Sequence, residues 1–278
     1  MTIATLDGVL AGMEPLIPFA KAVTPTLVIG RPHSLWYLGG SPGAGLAPAV
    51  TAGGVALNNA AFGSVAGAIS HLDPVSGNTY LARLSAAAQQ GGTLLLCDRL
   101  MQVGGNSAAA AIPVTLTTAS TINTGALPAR DINGSINGVG VQWGLEVITA
   151  TGAGAATPAI GYTNSADVTA RTASLIDAYV ASSAIGAFYR FGMQAGDSGI
   201  KSVQSLTLNV SMSSGSIALV AYRVLASLEL AAPFIPNAID ALTSGFPRLF
   251  NGTCPFLLFI PSATTASVVS GTYVESQG

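Results

Sequence analysis

Residues 205–212, SLTLNVSM, set Leu206, Leu208, Val210 and Met212 on one side of an extended chain and Ser205, Thr207, Asn209 and Ser211 on the other. A period of two is the pattern of a half-buried antiparallel strand; in a helix the same apolar residues would scatter round the axis. After the turn sequence SSG comes SIALVAYRVLASLEL at 216–230, and the two runs together read as a hairpin. Further strands are predicted over 79–84, 93–100, 113–118, 139–150, 157–163, 186–193, 256–260 and 268–274. Between them stand PARDINGSINGVG, TGAGAATP, QAGDSG, LTSGFPR and FNGTCP, clusters of the residues that turn a chain. One short helix is predicted over 237–243, with Asn237 as its N-cap. No repeat of the length used by solenoids or propellers is visible. The expected fold is all-β: an antiparallel, jelly-roll-like β-sandwich over 76–278 with at most one or two short helices.

Residues 1–75 break this pattern. Pro15, Pro18, Pro25, Pro32, Pro42 and Pro48 interrupt every apolar run, and GGSPGAGLAPAVTAGG offers turns without period. The segment reads as an extended Pro/Gly-rich arm that begins with a short helix or docking peptide, TLDGVLAGM, and is anchored through Trp36 and Tyr37. Such an arm cannot bury its own apolar residues, so it must lie on its own domain or on a neighbouring subunit.

Composition sharpens the picture. Half of the 278 residues are hydrophobic and only 8% are charged, where an ordinary globular chain carries about 25%. Solubility must then come from a Ser/Thr/Asn/Gly surface, from burial against neighbouring copies, or from both. Ten Lys and Arg against 12 Asp and Glu form no run of either sign, so the chain has no electrostatic footprint for nucleic acid or anionic lipid. No window offers an apolar stretch long enough for a transmembrane helix, and the N-terminal stretch lacks the basic start of a secretory signal; a cytoplasmic origin and no membrane partner are expected. The two cysteines, Cys97 and Cys254, sit in apolar settings and read as buried thiols.

Candidate chemistry is sparse. GDSG at 196–199 resembles the surroundings of the nucleophilic serine in chymotrypsin-like proteases, and His71, with Asp98 or Asp131, precedes Ser198 in the order His, Asp, Ser. Ile200 stands where that pattern requires a second glycine, and AISHLDP lacks the family's histidine setting. The simpler reading is a loop in which Gly196 and Gly199 supply positive φ while Asp197 and Ser198 bond back to the backbone. His33 and His71 have no companion at metal-ligand spacing, no phosphate-binding glycine motif is present, and the carboxylates select no glycosidase pair, so no catalytic residue, metal or cofactor is expected. In so charge-poor a chain the adjacent couples Asp98–Arg99 and Arg130–Asp131 are expected to pair with each other or across a subunit boundary. With Trp36 and Tyr37 they are the candidate interface residues.

SGNTYLARL, GGTLLLCDRL, LPARDINGSINGVGV, TSGFPR and PFLLFIPSATTAS together resemble a group of tailed-bacteriophage virion proteins. The resemblance is one of texture and short phrases across most of the chain, and it carries no site residue. It implies a non-enzymatic structural component of the particle, assembled in the bacterial cytoplasm. A decoration or cement protein is implied, with the major capsid protein and its own copies, as a homotrimer, for partners. The major shell protein itself fits less well, since no long amphipathic helix is visible. The competing expectation is a receptor- or carbohydrate-binding sandwich on the tail or on head fibres, using Trp36, Tyr37, Trp143 or Tyr162 to stack on sugar rings.

Overall fold

A computed structural model describes residues 5–48, 54–108, 113–115, 127–245 and 247–278. In chain order its elements are α1 (Leu6–Ala11), β1 (Ile17–Lys21), β2 (His33–Ser34), β3 (Gly40–Ser41), β4 (Val55–Ala56), β5 (Thr79–Ala88), β6 (Gly92–Ser107), β7 (Pro113–Thr115) and β8 (Gln142–Thr149). There follow β9 (Pro158–Asn164), β10 (Arg171–Ser174), β11 (Phe188–Arg190), β12 (Ile200–Leu208), β13 (Ser216–Leu230), β14 (Asn237–Asp240), α2 (Ala241–Ser244), β15 (Arg248–Leu249), β16 (Pro255–Pro261) and β17 (Val269–Gln277). The strand pairings are antiparallel, and the fold is an antiparallel β-sandwich architecture with two short helices among the described residues. No helix among the described residues is long and apolar enough to cross a membrane.

The chain divides into two compact units, one of Met1–Leu46, Asn58–Asp98 and Val224–Gly278, the other of Ala47–Leu57 and Arg99–Arg223. In the first unit a sheet of order β14-β5-β17-β1-β3, with β15 also on β5, supplies Leu84, Ala86, Ala88, Phe19, Val269 and Tyr273 to a core. Leu94 and Leu96 of β6, Leu228 and Leu230 of β13, and Leu257 and Phe259 of β16 belong to the same cluster. Each large apolar side chain buried this way is worth about 1.5–3 kcal/mol before its entropy is counted. The segment 1–75 does not trail away from this unit. Its β1 pairs along its length with β17, from Ile17 opposite Tyr273 to Lys21 opposite Val269, and its β2 pairs with β16. Its Pro-rich connections end strands after two to five residues.

The second unit has its own core. Trp143, Leu145 and Val147 alternate along β8, and Ile217, Leu219 and Ala221 along β13; Ile160 and Tyr162 of β9 and Val203, Leu206 and Leu208 of β12 belong to the same cluster. The latter strands lie in a sheet of order β10-β9-β12-β7. β8 is flanked by β11 and β13.

Two local expectations are corrected. The runs at 205–212 and 216–230 do not form a hairpin: β12 ends at Leu208 and pairs with β9 and β7, whereas β13 pairs with β8. The alternation stops because Asn209 turns its side chain back to accept the Thr157 N–H at 2.7 Å, which leaves Val210 45% exposed. The helix near 237–243 is shorter than its sequence suggests. Asn237 begins β14, and Asp240 is the N-cap, accepting from the N–H groups of Leu242 and Thr243 at 3.0 and 2.9 Å. Asp240 replaces Asn237 in that role because residues 237–240 are held in register against Ala86 to Arg83 of β5.

Candidate functional site

The GDSG stretch is a loop. Gly196 has φ +88°, as its turn requires, but Gly199 is needed for a different reason: a Cβ there would lie 2.0 Å from the Gly138 carbonyl oxygen. The Asp197 carboxylate accepts from Tyr162 Oη at 2.5 Å and from Asn164 Nδ2 at 2.6 Å, with the Arg171 guanidinium 3.4 Å away. The bonds from Tyr162 and Asn164 hold its carboxyl below the usual range. Ser198 is exposed, and its Oγ lies 2.8 Å from Ser165 Oγ, a hydroxyl that cannot serve as a general base at neutral pH. His71 belongs to the other unit. Asp98 accepts from the Cys254 N–H and Asp131 from its own loop, so the order His, Asp, Ser in sequence is not assembled into a relay.

The residues singled out as interface candidates lie mostly inside the chain. Trp36 is in the first unit's interior, edge-on to Phe256 with ring centroids 6.1 Å apart, and Gly45 and Gly67 pack against its indole. Tyr37 is half-buried. Asp98, Arg99, Arg130 and Asp131 are buried. Arg99 donates from Nη1 and Nη2 to the Glu146 carboxylate at 3.1 and 2.6 Å, and from Nε and Nη2 to Gln102 Oε1. Arg130 donates to the carbonyls of Leu57 and Arg99 at 2.8 and 3.2 Å. Asp131 accepts from Asn133 N, Ser135 N, Ser135 Oγ and Val139 N, so one carboxylate organises the loop 131–139. Trp143 and Tyr162 are fully buried, and neither offers a ring face to a sugar.

The surface carries what the interior does not absorb. On the first unit, Leu6, Leu10, Met13 and Leu16 are exposed along and after α1, and Phe234, Ile235 and Leu242 are exposed around β14. Phe234 is 71% exposed and has φ +59°. A bulky side chain in the left-handed region is costly, and such strain gathers where a residue serves something outside its own fold. The second unit has a polar groove of about 710 Å³ on the sheet β10-β9-β12-β7, bordered by Thr163, Arg171, Lys201, Ser202, Gln204 and Ser205, with Lys201 paired to Asp167 at 2.6 Å. Register shifts at Ile200/Ser202 and Val203/Ser205 re-aim the β12 side chains along this groove. Among the described residues no group of three or more His, Cys, Asp or Glu is placed to hold a metal ion. Cys97 and Cys254 are buried and form no disulfide, and burial followed by the charge of Asp98 pushes the Cys97 thiol up.

No protein-family model matches the sequence, and no curated protein matches it. Among solved structures, the infectious bursal disease virus VP2 subviral particle is similar over 96% of this chain and 82% of that one, at 9% identity and a TM-score of 0.21. T=1 particles derived from infectious bursal virus give 9% identity over 96% and 79% of the two chains, with a TM-score of 0.20. The likeness is weak.

Proposed function

We propose that this chain is a structural component of a tailed-bacteriophage virion, a decoration protein that binds the outside of the head as a homotrimer and acts through contact area, without a catalytic step. The observation that carries this reading is the set of large apolar residues left outside two complete cores, above all Leu6, Leu10, Leu16, Phe234, Ile235 and Leu242. With only 8% charged residues, such a surface is poorly suited to solitary life in water and well suited to repeated burial against copies and a shell lattice. Binding only the assembled shell stabilises it by mass action, because opening the shell then also breaks the added contacts. The phrases that resemble those of phage virion proteins support the same reading. Purified chain added to expanded heads that lack it is expected to bind saturably and raise their melting temperature. Absence of binding, or binding with no stabilisation, overturns the proposal.

A receptor- or carbohydrate-binding role is the second reading, and the polar groove beside Arg171 and Lys201 is the feature that favours it. Its buried aromatics weigh against it. A glycan array separates the two: retention of one glycan class that Lys201→Ala abolishes supports the second, and no retention leaves the first.

A further inference from the structure

We infer that His71 is a proton-operated latch that fastens the loop 70–78 to β17 and to the turn preceding β16, and that loss of its proton releases the loop. His71 is fully buried. Its Nδ1 lies 2.7 Å from Glu275 Oε1 and its Nε2 lies 3.0 Å from Asp73 Oδ1. A neutral imidazole has one N–H and one lone pair, so it can satisfy only one of two carboxylates; both contacts are good only for the imidazolium, which donates from both nitrogens. Each carboxylate is tied further. Glu275 also accepts from Tyr273 Oη, and Asp73 Oδ1 accepts from the Gly252 N–H at 2.7 Å.

The ring therefore bridges three segments: its own loop, the β17 residues Tyr273 and Glu275, and the turn containing Gly252. Asp98 on β6 is the further carboxylate that acts on Tyr273. Glu275 reaches this position where the β5–β17 register shifts, with Val274 opposite Arg83 and Glu275 opposite Leu81, so that Ala82 is the extra residue of a bulge.

Burial by itself lowers the basicity of the ring; the bond and charge of Glu275 and then those of Asp73 outweigh it, and the net direction is upward. A folded-state value above the unfolded one makes the stabilisation complete below about pH 6.5, and it is lost as pH rises through the folded value. Further ties of the loop among the described residues are the Gln277 Nε2 bond to the Leu72 carbonyl at 2.9 Å and the paired backbone bonds of Asn78 and Gly278 at 3.0 Å. Leu72 and Val75 stand exposed on the same loop, Val75 entirely so, and the proton on His71 controls how that apolar pair is presented.

The test is the ring-proton NMR titration of His71 in the intact chain, with hydrogen exchange of the Gly252 and Asn78 amides followed over the same pH range. His71 is expected to titrate above about pH 6.5, and protection of those amides, corrected for intrinsic exchange, should fall about tenfold per pH unit beyond that midpoint. Glu275→Gln should lower the midpoint, and His71→Gln should make loop exchange independent of pH. Titration of His71 at or below the ordinary value, or loop protection unchanged across its titration, overturns the inference. The wild-type measurements decide the matter even where a variant fails to fold.

Discussion

Glu146 is the residue on which Arg99 closes, two charged groups both sealed from solvent, one on β6 and the other on β8. The adjacent letters Asp98–Arg99 and Arg130–Asp131 stood out in a chain this poor in charge, and burial explains why they are there at all: each group is held by specific hydrogen bonds inside the fold. Adjacency says nothing about partners, however, and Glu146 lies 47 positions from Arg99. The strand pattern marks β8 as buried on one face through Trp143, Leu145 and Val147 but is silent about Glu146 on the other. His33 was equally opaque in sequence. Its imidazole is buried with neither ring nitrogen hydrogen-bonded among the described residues, and burial, aided by Arg31, pushes it down to about 3. Its folded value is below the unfolded one, so the stability it permits is complete above about pH 6.5 and is lost as pH falls toward the folded value. His33→Leu is therefore expected to spare about 2 kcal/mol of the stability lost by wild type between neutral pH and about pH 5, read from urea unfolding at the two pH values. An equal acid loss in variant and wild type would contradict this.

At the scale of elements, alternation was a good guide wherever a strand has one wet and one dry face. The predicted strand at 79–84 is the first part of β5, which runs on to Ala88, and the one at 256–260 is β16 short of one residue at each end. It failed for β2, β3, β10 and β14, which have two to four residues and too little length to show a period. It also failed at the β12–β13 connection, because consecutive strands of a sandwich pass to different sheets when a side chain such as that of Asn209 ends the ladder. Loop 131–139 shows the opposite case, turn chemistry that the sequence displays openly and the structure explains through one carboxylate. Asp131→Ala removes the acceptor for three N–H groups and one hydroxyl. The expected cost is about 2–3 kcal/mol by thermal unfolding, with faster exchange of the Asn133, Ser135 and Val139 amides. Unchanged exchange at all three would show that the loop does not depend on this side chain.

At the scale of the molecule, the division into two units is only partly visible in the sequence. Two of its four boundaries pass through β6 between Asp98 and Arg99 and through β13 between Arg223 and Val224, in mid-strand, where no linker residues could announce them; the other two, after Leu46 and after Leu57, lie outside the strands. The low charge raised the expectation of apolar surface at a neighbour, and under the proposed role the exposed residues around α1 and β14 are that surface. Which of the apolar letters would be exposed was not legible, since Leu and Ile look alike in a sequence whether they fill a core or meet a partner. The most direct measurement of the central claim is solvent protection of 6–16 and 234–242, by hydrogen exchange or radical footprinting, in the free chain and on phage heads. Both segments are expected to become strongly protected on the particle, and equal accessibility in the two states would contradict the account.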